Sequence, residues 1–138
     1  MAFQPKDGDW KTEYIPKKAS TLYTVGALIT NDGTDNIVAT TTGLRQVGIC
    51  DQAFGTGDAT TALMKVLIPR SPECTMYGDV GSGTPAAADR NKTCDIASGG
   101  LTVAYGTDSH HQLVIAGYIS ATRGVFKINS KISTLPGA

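Results

Sequence analysis

Short apolar runs separated by turn-forming residues are the dominant pattern along this chain. From Leu22 onward, runs rich in Val, Ile, Leu and Thr alternate with clusters of Gly, Asp, Asn and Ser. We find no convincing segment in which apolar side chains repeat with the 3.6-residue period of a helix. The runs predict about nine strands, at 22–30, 37–42, 44–50, 62–68, 74–77, 93–96, 101–105, 113–119 and 125–128. The sequence therefore predicts an all-β fold, a small antiparallel β-barrel or sandwich.

The segments between these runs are predicted as turns and loops. NDGTDN at 31–36 is a cluster of turn formers, which makes the strands on either side of it a hairpin. The longest low-complexity stretch, at 78–92, is predicted as a surface loop with one helical turn over 85–89. The final residues, 133–138, are predicted as loose coil.

Residues 1–20 differ from the rest of the chain. They hold seven of its 24 charged residues, two of its six prolines and its only Trp. Pro5 and Pro16 are incompatible with a continuous helix or a central strand, whereas a disordered tail has few large apolar residues. We therefore expect an extended N-terminal arm over 1–20, docked on its own domain or on a neighbour, and a single β domain over 21–138. A frayed terminus with incidental aromatic residues is the alternative.

The charge balance limits the classes of partner. Twelve Lys and Arg residues offset twelve Asp and Glu residues, so the formal net charge is zero at pH 7. Nucleic-acid binding through counterion release and polybasic membrane anchoring both need a basic excess, so we expect neither partner. No apolar run reaches the roughly 18 residues of a membrane span. The acids and the proline of the first ten residues do not fit a signal peptide, which indicates a mature, non-secreted chain.

The three cysteines, Cys50, Cys74 and Cys94, are widely spaced, and no C-x-x-C motif occurs. A zinc ribbon or a thioredoxin-like site therefore has no support. Free, mostly buried thiols are the expectation. A Cys74–Cys94 bridge is the alternative, because both residues flank predicted strands.

The histidines are the first candidates for catalysis. His110 and His111 are adjacent, and neighbouring residues of a strand point to opposite faces, so the pair cannot easily share one metal ion. Asp108 and Ser109 add the residue types of a catalytic triad. A triad, however, needs a nucleophile, a base and an acid that converge from separate elements, and consecutive residues in a polar turn do not provide that geometry.

Other motifs give no positive support for an enzyme. Asp32 and Asp35 lack the ligand spacing of a calcium loop and are explained by a hairpin turn. The Gly-rich segments at 55–60 and 81–84 lack the Lys-Ser/Thr of a P-loop. We therefore expect no catalytic residues, no metal site and no cofactor.

Six short motifs follow one another in a set order from Ala19 onward. They are Gly26-Ala27-Leu28-Ile29, Ile37-Val38-Ala39-Thr40, Val47-Gly48-Ile49, Val66-Leu67-Ile68-Pro69, Cys94-Asp95-Ile96 and Phe126-Lys127-Ile128-Asn129. In this order the chain resembles the small capsid decoration (cement) proteins of tailed bacteriophages.

The resemblance implies a structural virion protein on the exterior of a phage head, assembled in the host cytoplasm. Such proteins are β-rich and trimerise at three-fold or quasi-three-fold positions, where they clamp major capsid protein subunits. In several of them an N-terminal arm extends onto the capsid. Residues 1–20 would have that role here, with Phe3, Trp10, Tyr14 and Ile15 as the contacts, since aromatic residues dominate interface energetics.

This interpretation predicts that deleting residues 1–17 leaves the β domain folded and abolishes capsid binding. Two other functions remain open. One is a phage tail, fibre or baseplate β module that binds a receptor or a glycan. The other is a small β-barrel enzyme, which would need His110 or His111 beside a cleft with converging acids.

Overall fold

The computed structural model describes residues 2–43 and 45–130. Within them the chain forms eleven β-strands and one turn of 3-10 helix, Ala87–Asp89, with no α-helix. The strands are β1 Gln4–Asp7, β2 Trp10–Pro16, β3 Leu28–Asn31, β4 Asn36–Val38, β5 Gln46–Cys50, β6 Leu63–Pro69, β7 Thr75–Ser82, β8 Thr93–Ile96, β9 Val103–Ala104, β10 Leu113–Ser120 and β11 Arg123–Ile128. The prediction of an all-β fold with a barrel is confirmed. The predicted coil at 133–138, and Leu44 at the start of a predicted strand, lie outside the described residues.

Five strands close into a barrel in the order β7-β11-β10-β8-β9. Its neighbouring strands are antiparallel except at the closure, where β9 runs parallel to β7 and Val103 lies opposite Val80. The first half of β7 pairs on that same side with β1. The buried side chains of this unit form the first hydrophobic cluster, which includes Met76, Leu113 and Phe126.

The second sheet is antiparallel, in the order β2-β6-β5-β3-β4. It contributes Leu28 and Ile49 to the same hydrophobic cluster as the barrel. Its other buried side chains, among them Ile29, Val47 and Met64, form a second cluster. Leu28 and Ile29 belong to different clusters because successive side chains of a strand point to opposite faces.

Backbone and amide groups hold the barrel to the second sheet. The Gly100 carbonyl, in the turn between β8 and β9, accepts a hydrogen bond from the Leu28 N–H at 2.8 Å. Gly100 has a φ of +72°, and a Cβ there would lie 2.7 Å from the Leu28 oxygen, so this approach requires glycine. The buried Gln112 side chain accepts from the Ile96 N–H and donates to the Thr40 carbonyl.

The N-terminal segment is extended, as predicted, but it is not confirmed as a separate arm. β1 belongs to the barrel's sheet and β2 to the second sheet. Phe3 is fully buried in the first hydrophobic cluster. The structure argues against the expectation that the domain folds without residues 1–17, because that deletion would remove a core side chain and two paired strands. Pro5 and Pro16 are compatible with these strands because each lies in a strand at a sheet edge.

Candidate functional site

Strand β2 lies at the edge of the second sheet and leaves one side of its backbone unpaired. It pairs with β6 along its whole length, from Trp10 opposite Pro69 to Pro16 opposite Leu63. Among the described residues, no strand pairs with its other side. An exposed strand edge of this kind is a ready template for another strand.

The hydrogen bonds that flank β2 show which backbone groups point outward. Lys17 N–H donates to the Ala62 carbonyl, and Arg70 N–H donates to the Asp9 carbonyl, so odd-numbered residues turn their backbone groups toward β6. Backbone direction alternates along an antiparallel strand. The N–H and C=O groups of the even-numbered residues Trp10, Thr12 and Tyr14 therefore point to the open edge.

The open edge ends at Pro16. The side-chain amide of Asn36, the first residue of β4, donates to the Pro16 carbonyl at 3.0 Å. The Tyr23 hydroxyl accepts from the Lys18 N–H and donates to the Asn36 carbonyl. Because Pro16 has no N–H and its carbonyl is already bonded, the unpaired stretch is confined to residues 10–14.

One face of β2 carries an exposed apolar patch, which we call the Tyr14 patch and define as Tyr14, Pro16 and Leu63. Tyr14 is 60% exposed and Leu63 is 57% exposed. Leu63 lies opposite Pro16, so it is the diagonal neighbour of Tyr14 on the same face. An exposed aromatic beside an exposed leucine is a common signature of a protein contact surface.

The opposite face of β2 carries charge. The Lys11 ammonium lies 2.6 Å from the Glu13 carboxylate, and both side chains are partly exposed. Ile15, the next residue on this face, packs against the second hydrophobic cluster. The edge therefore presents apolar groups on one face and a neutralised ion pair on the other.

The four predicted contact residues are not brought together as one surface. Phe3 is buried, Trp10 packs half-buried against the first cluster, and Ile15 packs against the second. Tyr14 alone is largely exposed. Sequence analysis missed Leu63, because only the register of β2 with β6 places it beside Tyr14.

His110 belongs to a turn organised by a buried carboxylate. Asp95 is 1% exposed and accepts hydrogen bonds from the Ser109 and His110 backbone N–H groups, at 2.9 and 3.0 Å. The Asp95 oxygens are therefore directed at the backbone of the turn, and the arrangement stabilises the turn that precedes β10.

His111 lies in a separate cluster on the surface. Its Nδ1 lies 2.7 Å from the Asp108 carboxylate and 3.2 Å from the Thr93 hydroxyl, which itself donates to Asp108. In a triad the acid and the nucleophile bond to different ring nitrogens. Here both groups face the same nitrogen, so the three side chains are not arranged as a nucleophile, base and acid.

All three cysteines lie within the described residues, and all are buried and free. The expectation of free, buried thiols is confirmed and the Cys74–Cys94 bridge is not formed. Burial raises the pKa of Cys50, and it raises the pKa of Cys94 to about 12. These thiols are protonated at neutral pH, which is the opposite of a reactive, thiolate-forming cysteine.

The 31–36 segment forms the predicted hairpin turn between β3 and β4. The Asp32 carboxylate accepts hydrogen bonds from the backbone N–H groups of Thr34 and Asp35. These donors lower the pKa of Asp32. Across residues 2–43 and 45–130, no three His, Cys, Asp or Glu side chains are grouped so as to hold a metal ion.

The remaining observations concern membranes and relatives. In the part of the chain that the structure describes, no helix is long and apolar enough to cross a bilayer. Neither a scan against protein-family models nor a search of curated proteins found a match to this chain. A proposal of function therefore rests on the resemblance of the motif order and on the geometry of the β2 region.

Proposed function

We propose that this protein decorates and stabilises the icosahedral head of a tailed phage by binding the major capsid protein on the outside of the shell. The observation that carries the proposal is the Tyr14 patch, an exposed apolar surface on the paired strands β2 and β6. Interface energy concentrates in a few large side chains that become fully desolvated. A patch of this kind is suited to docking on a second protein surface.

The patch is large enough to matter energetically. Fully burying a side chain of this size is worth about 1.5–3 kcal/mol. Tyr14 and Leu63 are each more than half exposed in the free chain. Much of the free energy of burying these side chains can therefore still be gained when a partner binds. Together they can change an affinity by one to two orders of magnitude, because about 1.4 kcal/mol corresponds to a factor of ten.

The patch is also held in place before binding. Tyr14 lies opposite Lys65 in a strand pair that continues for seven residues. The Lys65 ammonium lies 3.2 Å from the carboxylate of Asp51, which follows β5 on the other side of β6. A preorganised surface loses little conformational entropy on binding, which favours a repetitive, many-copy contact such as the decoration of a shell.

The assembly state in this proposal is a homotrimer at three-fold or quasi-three-fold positions of the head. The motif order supports it through the resemblance to decoration proteins. Several copies held together would strengthen attachment without a large single contact, because each further contact forms at high effective concentration.

Co-sedimentation with purified empty heads of the encoding phage tests the proposal. We expect wild-type protein to bind saturably, and the Tyr14→Ser/Leu63→Ser variant to bind at least about 30-fold more weakly, as about 2 kcal/mol of lost contact implies. Tyr118→Ser is the matched control, because Tyr118 is 50% exposed and lies on the barrel, in β10. It should bind like the wild type.

Two results would reject the proposal. One is the absence of saturable binding by the wild-type protein. The other is equal binding by the wild type and the Tyr14→Ser/Leu63→Ser variant. The receptor- or glycan-binding alternative predicts no binding to heads together with binding to a glycan array.

A further inference from the structure

The open edge of β2 has a sequence that is complementary to itself. Residues 10–14 read Trp-Lys-Thr-Glu-Tyr. An antiparallel pair centred on Thr12 places Trp10 opposite Tyr14 and Lys11 opposite Glu13, in both halves of the pair. We propose that this edge pairs with the same edge of a second copy of the chain, across a two-fold axis through Thr12.

The backbone groups meet the requirement of such a pair. The residues with outward N–H and C=O groups are Trp10, Thr12 and Tyr14, as the bonds that flank β2 show. In the proposed register each of them lies opposite another outward-facing residue. Such facing residues exchange two hydrogen bonds per pair. The two five-stranded sheets would become one continuous sheet of ten strands.

The charged residues fix the register. Lys11 and Glu13 then form the non-hydrogen-bonded pairs, in which facing side chains are closest. Each Lys11 faces the partner's Glu13, so the ion pair that forms within one chain at 2.6 Å can also form between chains. Sliding the pair by two residues, the smallest shift that keeps the hydrogen bonds, places Lys11 opposite the partner's Lys11 or Glu13 opposite the partner's Glu13. Like charges directly opposite are destabilising.

The other face and the ends of the strand are consistent with this register. Trp10 and the partner's Tyr14 would form a cross-strand aromatic pair, among the more favourable pairs on a sheet face. Beyond residues 10–14 the edge is closed, because the Pro16 carbonyl is bonded to Asn36 and Gly8 leaves the strand with a φ of +93°. A finite, self-complementary edge favours a closed dimer contact over an open fibre.

This contact does not rest on the proposed function, and it is compatible with it. The pairing uses the backbone edge of β2 and the side-chain pair of Trp10 with the partner's Tyr14, whereas the capsid contact proposed above uses the exposed face of the Tyr14 patch, so Tyr14 contributes to both contacts. In an icosahedral lattice, two-fold axes lie between neighbouring three-fold positions. A two-fold contact can therefore join copies that belong to adjacent positions.

Sedimentation velocity on the full chain tests the pairing through charge reversal. Lys11→Glu places acid opposite acid, and Glu13→Lys places base opposite base, so each variant alone should weaken self-association at least about tenfold. Their equimolar mixture restores opposite charges at every position and should recover the wild-type mass as mixed pairs in native mass spectrometry. Lys92→Glu is the control, because it makes the same change in an ion-paired lysine directly before β8, away from the edge of β2. It should leave the mass unchanged.

We expect wild-type particles to have at least twice the mass of either edge variant. Thr12→Pro, which removes an outward N–H and leaves the bonds to β6 in place, should also lower the mass. The proposal is overturned if the wild type does not self-associate at concentrations of hundreds of micromolar. It is also overturned if the edge variants keep the wild-type mass, or if mixing them restores nothing. Thermal unfolding of each variant confirms that the chain is folded in every comparison.

Discussion

Phe3 ties the N-terminal segment into the core, and its removal is the sharpest test of the fold. The side chain is 0% exposed in the first hydrophobic cluster, and its backbone N–H donates to the Gly26 carbonyl at 2.9 Å. Its ring packs so closely on β7 that a Cβ at Gly78 would lie 2.8 Å from Cε1. Replacing a buried Phe by Ala costs about 3–5 kcal/mol, from lost transfer energy and the cavity left behind. We expect Phe3→Ala to lower the free energy of unfolding by about 4 kcal/mol.

Urea unfolding followed by circular dichroism measures this loss. A decrease of that size is a large fraction of the roughly 5–15 kcal/mol by which typical domains are stable. Tyr14→Ala is the matched control, because Tyr14 lies in the same N-terminal segment but is mostly exposed, and we expect a change below about 1 kcal/mol. A change in stability of less than about 1 kcal/mol for Phe3→Ala would show that the N-terminal segment is not part of the core.

Four further predictions concern the body of the domain. Gly48→Ala should destabilise the fold by about 3 kcal/mol or more, because its Cβ would lie 2.2 Å from the Leu67 carbonyl oxygen, whereas Gly55→Ala, with open space around it, should be close to neutral in the same unfolding assay. A thiol reagent at pH 8 should label no cysteine in the native protein and three after denaturation, and native labelling would contradict the burial seen here. Because the pKa of Cys94 is raised to about 12, its contribution to stability is present below about pH 9 and is lost as the pH rises toward 12, and Cys94→Ala should flatten that alkaline decline. The pKa of Asp32 is lowered, so pH acts in the opposite direction: the contribution of Asp32 to stability is present above about pH 4 and is lost in acid. Asp32→Asn should therefore flatten the acid side of the profile of stability against pH.

Local sequence was sufficient where a strand is bounded by strong turn signals. β8 begins and ends at the predicted residues, Thr93 and Ile96, and β10 extends only one residue past its predicted end. In both cases an apolar run is flanked by residues that favour turns. The 3-10 turn at Ala87–Asp89 likewise falls within the predicted helical turn.

The glycines of β7 show why its length was not predicted. The segment after Tyr77 is rich in Gly and was predicted as the beginning of a loop, but β7 continues to Ser82. At Gly78 an added Cβ would lie 2.8 Å from the Phe3 ring and 3.0 Å from the Phe126 ring. Glycine is required there because the two rings pack closely against the backbone. The composition of one sequence does not show whether a glycine serves such packing or a turn.

Long-range pairing accounts for what the sequence did not predict. β1 and β2 were expected as an arm because Pro5 and Pro16 argue against a central strand, and both strands lie at sheet edges. The parallel contact of β9 with β7, which closes the barrel, joins segments with no local signal of their pairing. Of the Tyr14 patch, the sequence singles out Tyr14 as a candidate contact residue, whereas Leu63 becomes its neighbour only through the β2–β6 register.

Cryo-electron microscopy of empty heads, prepared with and without the added protein, tests the proposed function most directly. We expect additional density on the outer surface at three-fold or quasi-three-fold positions, with the second sheet and its Tyr14 patch facing the capsid. Heads that show no additional density at saturating protein would contradict it. Density in which the barrel faces the capsid and the Tyr14 patch stays in solvent would contradict it as well.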